Sequence, residues 1–110
     1  MPIYITRGRY SLEALKNLAA NPQDRGPAVA KLAEAAGAKL LNYYVTTGET
    51  DWMTIVEAPN AGVASAVIIG AATGGGVTDV VTVEAFTSAD AKNVFALAGK
   101  ASGAYKAPGK

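Results

Sequence analysis

Apolar and polar residues alternate from Ile3 to Arg7, with Ile3 and Ile5 on one side and Tyr4 and Thr6 on the other. A period of two is the mark of a half-buried strand. After the turn at Gly8-Arg9-Tyr10 the period changes. Ser11 is a suitable helix cap with Glu13 in the first turn, and Leu12, Leu15, Leu18 and Ala19 follow helical spacing. Asn21 to Pro27 interrupts that helix, because proline in a helix interior costs about 3 kcal/mol. Helix resumes near Pro27, runs along Val29, Leu32, Ala33 and Ala36, and stops at Gly37. Lys39 to Glu57 reads as two strands around the polar loop Thr46–Thr50. Asn60 caps a helix of small residues through Val63, Ala64, Val67, Ile68 and Ala71, ended by Gly74-Gly75-Gly76. Val77 to Phe86 is rich in β-branched residues and predicts a long strand. Thr87 or Ser88 then caps a last helix with Ala91, Val94, Phe95 and Ala98 on one face.

The order β-α-β-β-α-β plus a terminal helix predicts an α+β, ferredoxin-like antiparallel sheet within residues 1–101. Residues 102–110 are expected to form a flexible or partner-docked tail. Alternation separates the two sheet faces. Ile3, Ile5, Leu41, Tyr43, Val45, Met53, Ile55, Val81, Val83 and Ala85 form an almost wholly apolar set, expected against the helices. Tyr4, Thr6, Asn42, Tyr44, Trp52, Thr54, Val56, Val80, Thr82, Glu84 and Phe86 form the other, aromatic and threonine-rich with one ionisable group. Such a face suggests burial against a second sheet. The chain has none of its own, so another copy is expected to supply it, giving a homodimer, or a higher homo-oligomer, built as a dimeric α/β barrel.

Composition narrows the chemistry. The chain has 110 residues, half of them apolar and 17% charged, enough for one folded domain. A net charge of +1 provides no field for nucleic acid or an anionic membrane. No cysteine or histidine is present, which removes disulfides, thiolate nucleophiles, the commonest zinc ligand and the usual general base. No metal constellation or cofactor motif is visible; the triple glycine follows a helix rather than opening one and lacks the Lys-Ser/Thr pair of a phosphate loop. Ala61–Val77 is short for a membrane span and full of small residues. The N-terminus lacks the pattern of a signal peptide, and a cytoplasmic protein is expected.

The stretches PIYITRGRYSLEALKNL, AVAKLAEAAGAKLLNYYVTTGETDWMTIVEAPN and VTVEAFTSADAKNV resemble the GYD-domain family, small bacterial and archaeal proteins related to the dimeric α/β barrels. The likeness covers nearly the whole chain and implies that fold and dimerisation. The family's Gly-x-Tyr-Asp motif corresponds to Gly48-Glu49-Thr50-Asp51, with Gly48 and Asp51 matching and Thr50 in place of the tyrosine.

The candidate ligand-binding set is Tyr4, Thr6, Tyr44, Trp52, Thr54, Thr82, Glu84 and Phe86, lining an inter-sheet cavity for a small, largely apolar molecule. The plainer alternative for its aromatic members is a dimer core. If a reaction occurs, Glu84 is the expected catalytic group, a carboxyl whose pKa burial would raise, with Tyr44 and Thr82 as hydrogen-bonding partners. Whether the protein is an enzyme stays open at this level. Asp51 is a ligand anchor or a loop staple, and Arg7, Arg9 and Tyr10 bind an anionic group or face solvent. The competing functional reading is a structural or regulatory oligomer without catalytic activity.

Overall fold

The computed structural model describes residues 1–109; Lys110, the last residue of the expected tail, lies outside them. Eight elements follow in the expected order: β1 (Ile3–Tyr10), α1 (Leu12–Ala20), α2 (Gly26–Ala36), β2 (Lys39–Val45), β3 (Trp52–Glu57), α3 (Ala61–Thr73), β4 (Val77–Ala85) and α4 (Ser88–Ser102). The strands form one antiparallel sheet in the order β2-β3-β1-β4. That is the ferredoxin-like α+β fold.

Local chemistry sets the element ends. Ser11, Asn60 and Thr87 each accept a hydrogen bond from a backbone N–H in the first turn of the helix they cap. These bonds satisfy donors that would otherwise have no partner. Pro27 lies in the first turn of α2, and the Asn21–Pro27 break separates α1 from α2. The first crossover is therefore two short helices with a gap between them.

The core lies between the sheet and the helices, and it reverses the expected use of the two faces. Tyr4, Trp52 and Val56 are buried, with Thr6 and Thr54 beside them. Tyr4 and Val56 belong to one cluster with Ala33, Ala38, Ala58, Ala64, Val67 and Ile68. The aromatic and threonine face therefore packs on the helices of its own chain. The aliphatic face is open: Ile3, Ile5, Met53 and Ile55 are half-buried, while Val81 and Val83 are 47% and 53% exposed. The cause is volume. Around Tyr4 and Val56 the cluster mixes Val67 and Ile68 with the small Ala33, Ala38, Ala58 and Ala64, which leaves room for the large Tyr4 ring.

Strand β2 departs from simple alternation. Its register shifts between Leu40 and Asn42, so Tyr43 lies opposite Thr54 on the helix side and Tyr44 opposite Met53 on the open side. A bulge of this kind sends the residues that follow it to the other face.

Helix α4 stands apart. It buries no residue, and Val94, Phe95 and Leu97 are exposed. The molecule measures 60 × 32 × 22 Å with a radius of gyration of 17.7 Å. A compact chain of this length would have about 13 Å.

Candidate functional site

A cavity of about 370 Å³ opens between the helix layer and the sheet. Its walls are Leu18 of α1, Val29 and Leu32 of α2, Val67, Ile68 and Ala71 of α3, and Trp52, Thr54 and Val56 of β3. Polar groups collect at one side, where Tyr10, Tyr43, Gln23 and Arg25 belong both to this cavity and to a wider depression beside it. The gap between α1 and α2 is what leaves this mouth open.

Three features hold the site in shape. Gly8 faces Trp52 in the ladder, and a Cβ there would come within 2.7 Å of the indole and 2.9 Å of Val80. Glycine at position 8 thus lets the ring lie flat on the sheet. The Tyr10 and Tyr43 hydroxyls are hydrogen-bonded to each other across the mouth. Burial first, and then that bond, push the Tyr43 phenol well above its ordinary value, against an opposing pull from the Arg25 charge. It is neutral throughout the physiological range.

Asp51 clamps the loop that precedes Trp52. Its carboxylate accepts from the Tyr10 backbone N–H at 3.0 Å, its own N–H donates to the Gly8 carbonyl at 2.8 Å, and its carbonyl accepts from Thr46 N–H at 2.8 Å. Thr50 offers its carbonyl to the Thr46 hydroxyl at 2.9 Å, and Arg9 Nε donates to the Glu49 carbonyl at 3.1 Å. Gly48 turns the loop with a φ of 91°, in the region glycine adopts without strain. The Gly48–Asp51 segment is thus bound to β1 and positions Tyr10 and Trp52.

The expected site residues divide into three groups. Trp52 and Thr54 wall the cavity, with Tyr4 and Thr6 buried beside them beneath the helices rather than facing a second sheet. Thr82 and Glu84 share that face by register, opposite Thr6 and Tyr4, but lie exposed on the outer strand, and Phe86 is exposed just beyond it. The Thr6 and Thr82 hydroxyls are 2.8 Å apart. Glu84 does not line the cavity and is not buried; its charge acts on Tyr4, whose phenol is raised chiefly by burial. Tyr44 lies on the opposite, open face. Sequence reasoning missed Gln23, Arg25 and Tyr43 as site residues. The proline break at Asn21–Pro27 was the available signal, since two short helices in place of one leave a gap over the sheet.

Two wall residues carry buried polar groups. Trp52 Nε1 and Thr54 Oγ1 are buried and have no hydrogen-bond partner among the described residues. Among those residues, too, no cluster of three or more acidic side chains is placed to hold a metal ion, and no helix is long and apolar enough to cross a membrane.

The GYD domain model matches residues 4–95, which take in all four strands except Ile3, the first residue of β1, together with the cavity and the Gly48–Asp51 loop. The chain belongs to the GYD domain family. Its architecture is shared by the protein TTHA0845 from Thermus thermophilus, at 18% identity over 80% of this chain and 96% of that one, with a TM-score of 0.52. An AsnC family transcriptional regulator from Agrobacterium tumefaciens is similar at 18% identity and a TM-score of 0.53; the match takes in 79% of the GYD chain and 51% of the regulator. Identities this low establish a common fold and no more. No curated protein matches the sequence.

Proposed function

We propose that this GYD protein binds a small, largely apolar molecule within each chain, in the cavity between helices and sheet, and works as a homo-oligomer. One observation carries the binding reading: a cavity of ligand size with aliphatic and aromatic walls and a polar mouth. The walls suit a hydrocarbon chain or ring. The Tyr10–Tyr43 hydroxyl pair and the Arg25 guanidinium suit a single polar or anionic end. The site expected between two sheets is thereby moved inside the chain, and its polar end is read by Tyr10, Tyr43 and Arg25 rather than by Glu84.

The experiment uses Trp52, the single tryptophan and a cavity wall. Octanoate should change its fluorescence saturably. Ala71→Leu, which extends a wall residue into the cavity, should abolish the response, and Arg25→Ala should weaken it several-fold. A response unaffected by Ala71→Leu would refute the assignment.

A second reading, a structural or regulatory oligomer, is favoured by the open face. Ile3, Ile5, Tyr44, Met53, Ile55, Val81 and Val83 form one apolar sheet surface without a cover. Packing that surface against its copy would form a homodimer of barrel type. The two readings are compatible. Native mass spectrometry counts the copies and detects any retained small molecule; a strict monomer would remove the oligomer from both.

A further inference from the structure

We infer that α4 is an exchanged arm: it leaves its own chain and docks on a second copy of the same chain. This rests on the homo-oligomer just proposed and adds to it a second contact, away from the sheet face. The helix has 15 residues and so reaches about 22 Å. Ala91, Val94, Phe95 and Ala98 give it an apolar stripe at helical spacing. None of these is buried, and Phe95 is 73% exposed. Isolated helices of this length are marginal in water and gain most of their stability by packing an apolar face. Among the described residues, nothing buries that face.

The direction in which α4 leaves excludes its own body as the cover. Only Phe86 and Thr87 separate it from β4, and Thr87 is fixed as its cap by a bond from Asp90 N–H at 3.0 Å. Strands of eight or nine residues span about 30 Å, so the 60 Å long axis leaves about as much again for the arm. The cover is therefore another molecule.

A second copy fits better than an unrelated partner because the same chain has a matching bare strip. The helix side of β4, carrying Val80, Thr82 and Glu84, and Phe86 beyond it, is exposed, whereas Tyr4 and Thr6 of the neighbouring β1 and Trp52, Thr54 and Val56 of β3 are buried on that side. Two copies joined by their open sheet faces use up those faces and leave this flank of each free for the other's arm. A two-fold pair then covers both arms by one reciprocal contact, as in domain exchange.

The lysines permit a direct test. Lys92 and Lys100 lie on α4, and Lys16, Lys31 and Lys39 on the body. Full-length protein is mixed from 14N and 15N pools, unfolded and refolded together, then treated with an amine-reactive cross-linker. Arm-to-body cross-links should carry one light and one heavy peptide in about half of cases, the proportion for links between chains. Dimers whose arm-to-body links are all of a single isotope would overturn the exchange and leave the sheet-face dimer intact. A monomer in the same preparation would overturn both. A second variant guards against an uninformative cross-linker. Phe95→Asp changes a side chain that its own body does not bury, so the body should stay folded, with Trp52 emission unchanged, while the dimer dissociation constant rises at least tenfold. An unchanged dissociation constant would overturn the exchange.

Discussion

Thr54 is the clearest case of a side chain whose chemistry is not satisfied by its surroundings. A buried hydroxyl without a partner incurs a desolvation cost that valine, of nearly the same shape, does not. Thr54→Val should therefore leave stability unchanged or raise it by up to about 1 kcal/mol. A denaturation midpoint corresponding to a loss of that size would show that the hydroxyl has a partner after all. Gly48 makes the opposite prediction. At a φ of 91°, alanine is strained, and Gly48→Ala should cost about 1 kcal/mol in the same measurement. Tyr43 adds a pH dependence. Its folded-state pKa is raised above the ordinary 10.0, so the unfolded chain releases this proton first as pH increases. The contribution is whole below about pH 10 and is lost as pH climbs above it. Tyr43→Phe should flatten the alkaline fall of the melting temperature; an equally steep fall in the variant would place the titration elsewhere.

At the scale of elements, the order of strands and helices was legible because local signals agreed with one another. The caps Ser11, Asn60 and Thr87, the stop at Gly37 and the break before Pro27 each fall where their side-chain chemistry requires. What local chemistry does not carry is the phase of one strand against the next. The bulge after Leu40 sends Tyr43 to the helices and Tyr44 to the open face, and nothing in KLLNYYV marks it. The loop between β2 and β3 was read in part: Asp51 was given a loop-stapling alternative, and its bond to Tyr10 N–H is of that kind. Asp51→Ala should cost about 1–2 kcal/mol, and Asp51→Asn less, since it keeps an acceptor. Equal losses in thermal melts of the two variants would mean the charge matters rather than the acceptor.

At the scale of the molecule, the choice of which face meets the helices followed hydrophobicity where volume was decisive. Ile3, Ile5, Ile55 and Val83 look more core-like than Tyr4 and Thr6, yet the alanine-rich helices take the larger aromatic side chains. The two sets on β1, β3 and β4 were separated correctly by alternation and then assigned to the wrong neighbours. The face expected to meet a second copy instead walls a cavity inside the chain, between helices and sheet. That reversal also frees the aliphatic face for a partner and strands Glu84 on an exposed outer strand. Leu97 and Phe95 belong to the same picture, as apolar groups that a lone chain leaves in water.

The location of the binding cavity is tested most directly by nitrogen–proton correlation spectra of 15N-labelled protein titrated with octanoate. Trp52 provides a single indole N–H signal from a residue that lines the cavity. Saturable movement of that signal, together with the amides of Leu32, Ala71 and Tyr43, is the expected result. An indole signal that stays fixed while the amides of Ile3, Ile5, Ile55 and Val83 move would place the ligand on the open sheet face and contradict it.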